Sequence, residues 1–252
     1  MHSVNWNLID KERFCSSSWD GTVRIWTAHR PHSLLTLPTH SCTYSAAFSP
    51  HDPNIISSAS SDSYIRLWDL RTPASASNHL VAQIPVHVPP TTHSVPDQPG
   101  IPQTITPVAE VLTHDWNKYR PTILATGGVD RAIRTFDIRA PQQGPLAVML
   151  GHNYAVRKVV WSPHLSNVLL SASYDMSCRV WSDLSDVGQA GDGDHMRSGP
   201  AGPTFGKEIG RMDKHTEFTT GIDWCLFGSE GWCASVGWDE SLWVWDVRNF
   251  MT

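Results

Sequence analysis

The chain has 252 residues, 40% of them apolar and only 17% charged, with a net charge of -5 and 12 tryptophans. Such a composition excludes wholesale disorder, which goes with few aromatics and high charge, and the acidic balance speaks against a protein that neutralises many nucleic-acid phosphates. No apolar stretch approaches the roughly 20 residues needed to cross a bilayer, so no direct membrane insertion is expected.

Residues 1–14 lack the basic-then-apolar pattern of a secretory signal. Five cysteines (15, 42, 178, 225 and 233) form no CxxC pair, so neither a disulfide framework nor a zinc cage is implied. A reducing, cytosolic location is the expectation.

In chain order, the first predicted strand is Val4-Asn5-Trp6, followed by SSSWDGTVRIW at 16–26, where Val23-Arg24-Ile25-Trp26 alternates like a half-buried strand. Next come Ala46-Ala47-Phe48, the small-residue strand Ile55–Ser60, and SASSDSYIRLW at 58–68. A further strand is predicted over His79–Ile84, then a Pro/Thr-rich loop over about 88–107. ATGGVDRAIRTF follows at 125–136, then Val159-Val160-Trp161 and SASYDMSCRVW at 171–181. Residues 183–206 can bury little apolar surface and read as a loop between two strands. Ile222-Asp223-Trp224 and SVGWDESLWVW at 235–245 complete the series. Helical periodicity is absent, so the chain reads as all-β.

One spacing recurs. Asp20 and Trp26, Asp62 and Trp68, Asp130 and Phe136, Asp175 and Trp181, and Asp239 and Trp245 are each six residues apart. These units resemble WD repeats, whose four-stranded blades build a β-propeller. In such blades a turn Asp bonds a His, which continues through a Ser or Thr to the aromatic, satisfying buried polar groups. The resemblance assigns structural tetrads to His40, Asp62 and Trp68; to His152, Asp175 and Trp181; and to His215, Asp239 and Trp245. No His stands at the matching offset from Asp130, and the unit around Asp20 begins too late to hold one. The repeat units fall at about 1–39, 40–107, 108–151, 152–214 and 215–252, as one domain with insertions at 88–107 and 183–206. About five blades are thus expected of a usual seven. Because the chain starts inside a first strand and stops after a third, an open ring is expected, truncated on the N-terminal side, with edges prone to association.

Function needs more than the fold. The segments HSCTYSAAFSP, DWNKY and HTEF, with the blades around them, resemble the peroxin seven family, the WD-repeat receptors for the type-2 peroxisomal targeting signal. The resemblance covers nearly the whole chain outside the two insertions, and the long loops are similar to a fungal version. It implies a non-catalytic receptor that takes cargo proteins by an N-terminal amphipathic targeting helix. A co-receptor would cover the helix, docking proteins would receive the complex, and the receptor would cycle between cytosol and peroxisome matrix. Recognition would be of the helix-in-groove kind, with apolar anchors and a carboxylate for the signal's cation.

Two residue sets on the tetrad-turn face could serve it. Trp19, Tyr174 and Trp238 precede turn Asp residues, where a small polar side chain fits as easily; they serve binding or simply pack on a neighbouring blade. Tyr44, Glu110, Tyr154, Glu217 and Phe218 lead into first strands, and Glu110 with Glu217 could form an acidic patch for a peptide Arg or Lys, though either alone reads as a solvated Glu. The Asp183, Asp186, Asp192 and Asp194 group lacks the ordered spacing of a calcium loop, so no metal is expected. Neither a GxSxG elbow nor a phosphate-cradling Gly loop occurs, so neither enzyme nor cofactor is expected. Cys15, Cys178 and Cys225 read as small buried hydrophobes. The alternative functions are a generic WD scaffold or adaptor, an enzyme built on a propeller, for which the repeat registers no convergent cluster of titratable residues, and a truncated product unable to bind cargo.

Overall fold

Alternation of small, β-branched and aromatic residues, broken by Asp-centred turns, dictates short antiparallel strands. The computed structural model describes residues 1–72, 79–87, 108–184, 203–226 and 229–250. The first blade is β1 (Ser3–Trp6), β2 (Arg13–Ser18), β3 (Thr22–Thr27) and β4 (Leu35–Pro38), and the second is β5 (Thr43–Phe48), β6 (Ile55–Ser60), β7 (Tyr64–Asp69) and β8 (Leu80–Pro85). The third is β9 (Val111–Trp116), β10 (Ile123–Gly128), β11 (Ile133–Asp137) and β12 (Ala147–Met149). The fourth opens with β13 (Val156–Trp161), β14 (Val168–Ser173) and β15 (Cys178–Ser182). After it the chain adds the two-residue β16 (Thr204–Phe205) in parallel to the edge of the third blade, then returns as β17 (Lys207–Met212) to complete the fourth. The fifth has three strands among the described residues, β18 (Thr219–Trp224), β19 (Trp232–Gly237) and β20 (Leu242–Asp246). Gly206 stands where a Cβ would come within 2.5 Å of Met149 and 2.8 Å of the Ser182 carbonyl, so only glycine passes between the blades there.

Four apolar clusters lie among the described residues, one in each seam between consecutive blades. In every seam the repeated aromatic of one blade packs against the blade before it: Trp68, Phe136, Trp181 and Trp245. Trp26 has no blade before it, and stacks instead on Phe14, which stacks on Trp6. The outward faces of the end blades are open, with Val4 and Trp6 exposed on the first, and Leu242 and Val244 on the fifth. The architecture is that of an incomplete β-propeller with five blades in series.

Side chains on the inner strands lock neighbouring blades. Ser3 and Asn5 accept the backbone N–H groups of Ala46 and Phe48, and Thr113 and Asp115 accept those of Val159 and Trp161. His114 Nε2 meets Ser57 Oγ of the second blade at 2.7 Å.

The predicted Pro/Thr loop and the acidic run through Asp186, Asp192 and Asp194 lie outside the described residues. Asp183 is buried and pairs with Arg120 Nη2 at 2.5 Å. Of the cysteines, Cys15, Cys178 and Cys233 are buried, while Cys225 lies just past the end of β18 and is only half-buried. The expectation for Cys225 is corrected: the inward position belongs to Cys233, which lies in the seam between the fourth and fifth blades. Burial pushes the thiols of Cys15 and Cys178 up to about 12, so both stay protonated.

Candidate functional site

The hairpins between second and third strands share one geometry. The residue after each turn Asp is left-handed: Gly21 (φ 76°), Ser63 (68°), Arg131 (69°), Met176 (66°) and Glu240 (58°). The Asp carboxylate accepts the N–H two residues on, from Thr22, Tyr64, Ala132, Ser177 and Ser241. That local bond holds the turn and explains why Asp recurs there.

From this turn the tetrads are built. In the fourth blade, Trp181 Nε1 donates to Ser171 Oγ (2.8 Å), Ser171 meets His152 Nε2 (2.6 Å), and His152 Nδ1 meets Asp175 (2.9 Å). Burial pushes His152 below the usual imidazole range against the pull of Asp175, so the ring is neutral and donates from Nδ1. The fifth blade has the same chain of contacts in Trp245, Ser235, His215 and Asp239, at 3.2, 2.9 and 3.0 Å.

The second blade departs from expectation. Trp68 Nε1 reaches Ser58 (3.2 Å), but His40 is exposed, at φ 60°, and makes no bond to Asp62. Four residues before the start of each first strand, where the fourth and fifth blades have His152 and His215, the second has buried Thr39. His40 is one residue out of register. Asp62 is held instead by Ser41 Oγ (3.0 Å) and by the buried Arg66 (Nη2 2.5 Å).

The third blade has the His that the sequence spacing missed. His87 Nδ1 lies 2.6 Å from Asp130 and its Nε2 lies 3.0 Å from Thr126 Oγ1. Residues 88–107 separate His87 from its strand, so counting back from Asp130 passes over it. Counting forward from the outer strand finds it, since His87, His152 and His215 each follow β8, β12 or β17 by two or three residues.

Around these turns lie the candidate recognition residues, in two aromatic groups. Tyr174, Phe218 and Trp238 have ring centroids 5.1–6.3 Å apart, and Trp238 is 64% exposed. Trp19, also 64% exposed, stacks on His2 at 5.8 Å, and both approach Tyr44. Tyr154 is exposed and joins neither group. Glu110 accepts a hydrogen bond from Tyr44 Oη at 2.9 Å. Burial, then that carboxylate, pushes the phenol up to about 12, so it remains a donor. Glu217 is exposed and lies two blades from Glu110, and the two occupy different repeat positions. Glu110 corresponds to Phe218, each giving its carbonyl to the residue before the turn Asp (Val129 and Trp238).

Each first strand of the second to fifth blades carries a β-bulge at its second residue: Tyr44, Leu112, Arg157 and Thr220. Arg157, of the fourth blade, donates from Nη2 to Nε2 of His2 in the first at 3.2 Å. Two blades stand between them in the series, so this contact spans the inside of the arc. Burial lowers the His2 pKa, leaving a neutral ring whose Nδ1 donates to the Tyr44 carbonyl at 2.6 Å. His2, Tyr44, Glu110 and Arg157 therefore form one polar cluster at the mouth of the central channel. Among the described residues no group of His, Cys, Asp and Glu has metal-holding geometry.

The chain matches the WD domain, G-beta repeat, over residues 3–27, 31–69 and 143–182. It is 37% identical, over 97% of its length, to the peroxisomal targeting signal 2 receptor of Saccharomyces cerevisiae, of which it covers 70%. It belongs to the peroxisomal targeting signal 2 receptor family. The receptor of the same name from Komagataella phaffii is 34% identical over 82% of the chain, and that of Schizosaccharomyces pombe 28% over 97%. The chain spans half the length of the former and 65% of the latter. As a member of this receptor family it carries complete tetrads in its fourth and fifth blades, and in its third an Asp130–His87–Thr126 link that ends at Phe136 with no N–H donor and that was hidden by an insertion. His2 and Arg157 of the channel cluster escaped the sequence pattern as well, because they are 155 residues apart, whereas Tyr44 and Glu110 were among the candidates.

Proposed function

We propose that the chain is a receptor that binds the type-2 peroxisomal targeting signal on its turn face. It takes up cargo in the cytosol, meets a co-receptor that covers the bound signal, and passes to docking proteins for import into the peroxisome matrix. It is a binding protein rather than a catalyst. Family membership supports this reading, since the relatives are named for that signal. The observation that carries it is local: exposed Trp19 and Trp238, each in an aromatic group, stand on the same face as Glu110. An amphipathic helix lying there would set its apolar stripe on the aromatics and its basic residue toward the carboxylate.

The test is fluorescence anisotropy with a labelled amphipathic peptide bearing one Arg near its start. We expect binding, a loss of about tenfold or more when the peptide Arg becomes Ala, and a comparable loss for Trp238→Ala. Reversing both charges, Glu110→Arg with Glu217→Arg, should weaken binding most at low salt. Indifference to the peptide Arg would defeat the reading.

A further inference from the structure

We propose that Arg157 is a carboxylate-binding subsite of the turn face, so that a bound helix presents an acidic side chain to Arg157 as well as a basic one to Glu110. The proposal rests on the receptor reading and adds a second charge preference to the signal. Among the described arginines that are not exposed, Arg13, Arg24, Arg66, Arg120, Arg134 and Arg179 each lie within ion-pair distance of a carboxylate. Arg157 is the exception. A half-buried guanidinium is always charged, and leaving it without an anion is unfavourable unless one arrives from outside.

Its setting is also built rather than incidental. The bulge at Arg157 fixes the backbone, and the side chain is braced across the channel by one hydrogen bond to neutral His2. The other donors of the fork make no hydrogen bond among the described residues, which leaves a planar array suited to a carboxylate. Glu110 stands at the same mouth but is held by Tyr44 Oη and not by Arg157. Both charges are thus present and unpaired with each other. A ligand bearing both signs satisfies both groups and is oriented by them, whereas a purely basic ligand meets the repulsion of Arg157.

The experiment uses the full chain and a series of Arg-bearing helical peptides in which a single Glu is walked along the polar face, each with its Gln counterpart. At one position Glu should bind about tenfold tighter than Gln. Arg157→Ala should abolish that preference without weakening the Gln peptide, which loses a repulsive charge, and Arg157→Lys should keep part of it. Equal losses for Glu and Gln peptides, or peptide binding with no preferred Glu position in the wild-type protein, would overturn the subsite.

A second readout is independent of helix binding. The Nε–H NMR resonance of Arg157 should shift saturably with N-acetylglutamate amide and not with N-acetylglutamine amide. If this shift is seen while no helical peptide binds, the receptor reading fails and the carboxylate subsite stands. If the shift is absent, the subsite fails whatever the peptides do.

Discussion

His40 and His87 lie 47 positions apart in a repeat protein, and local sequence predicts the wrong one as a buried link. His87 is buried between Asp130 and Thr126, while His40 points to solvent beside Thr39, which occupies the inward position. Removing a buried imidazole takes one hydrogen-bond partner from its carboxylate and one from its hydroxyl, at a total cost of about 1–3 kcal/mol, since each group keeps other partners. His87→Ala and His152→Ala should therefore each lower the unfolding free energy by about 1–3 kcal/mol in urea titrations. His40→Ala should change it by less than about 0.5 kcal/mol. A large loss at His40 would mean that the second blade has a conventional tetrad after all. Sequence spacing assigned the fourth and fifth blades because nothing is inserted between their His and Asp. It failed in the second, where the register shifts by one residue, and in the third, where 20 residues intervene.

Each hairpin is set by one Asp and by the left-handed residue after it. Gly21 takes that conformation freely, whereas Met176 pays in backbone strain for a side chain that is 39% exposed. Met176→Gly should raise stability by about 0.5–1 kcal/mol, read as a higher midpoint with an unchanged denaturant slope. A lower midpoint would show that the side chain contributes packing that outweighs the strain. The strands were legible because a two-residue alternation and a six-residue Asp-to-aromatic interval are local properties. The bulges at Tyr44, Leu112, Arg157 and Thr220 were not, since a bulge is defined by the strand opposite.

At the scale of the molecule, stability resides in the seams. His114 is fully buried between the second and third blades, with Nε2 on Ser57. Burial pushes it from the ordinary 6.5 down to about 4, so the ring is neutral in the folded protein and takes up a proton more readily when unfolded. The stability tied to its neutral form is fully present above about pH 6.5 and is lost as pH falls toward 4. Urea titrations from pH 7 to 4.5 should show the wild-type protein losing about 2 kcal/mol more than His114→Gln. Parallel losses would place the acid sensitivity elsewhere, for example at His87 and His152, whose pKa values burial also lowers.

By itself the sequence determined the all-β class, the blade repeat, the turn Asp residues and the family likeness, because each depends on residues close together in the chain. Trp19, Tyr44, Glu110 and Trp238 were also identifiable as candidates, from their places beside the turns. Only the tertiary structure decided which histidines are buried links, that Tyr44 holds Glu110, and that His2 meets Arg157 across the channel. The physical reason is that propeller curvature brings blades together through packing at the seams, and an insertion or a one-residue shift alters spacing along the chain without altering that packing.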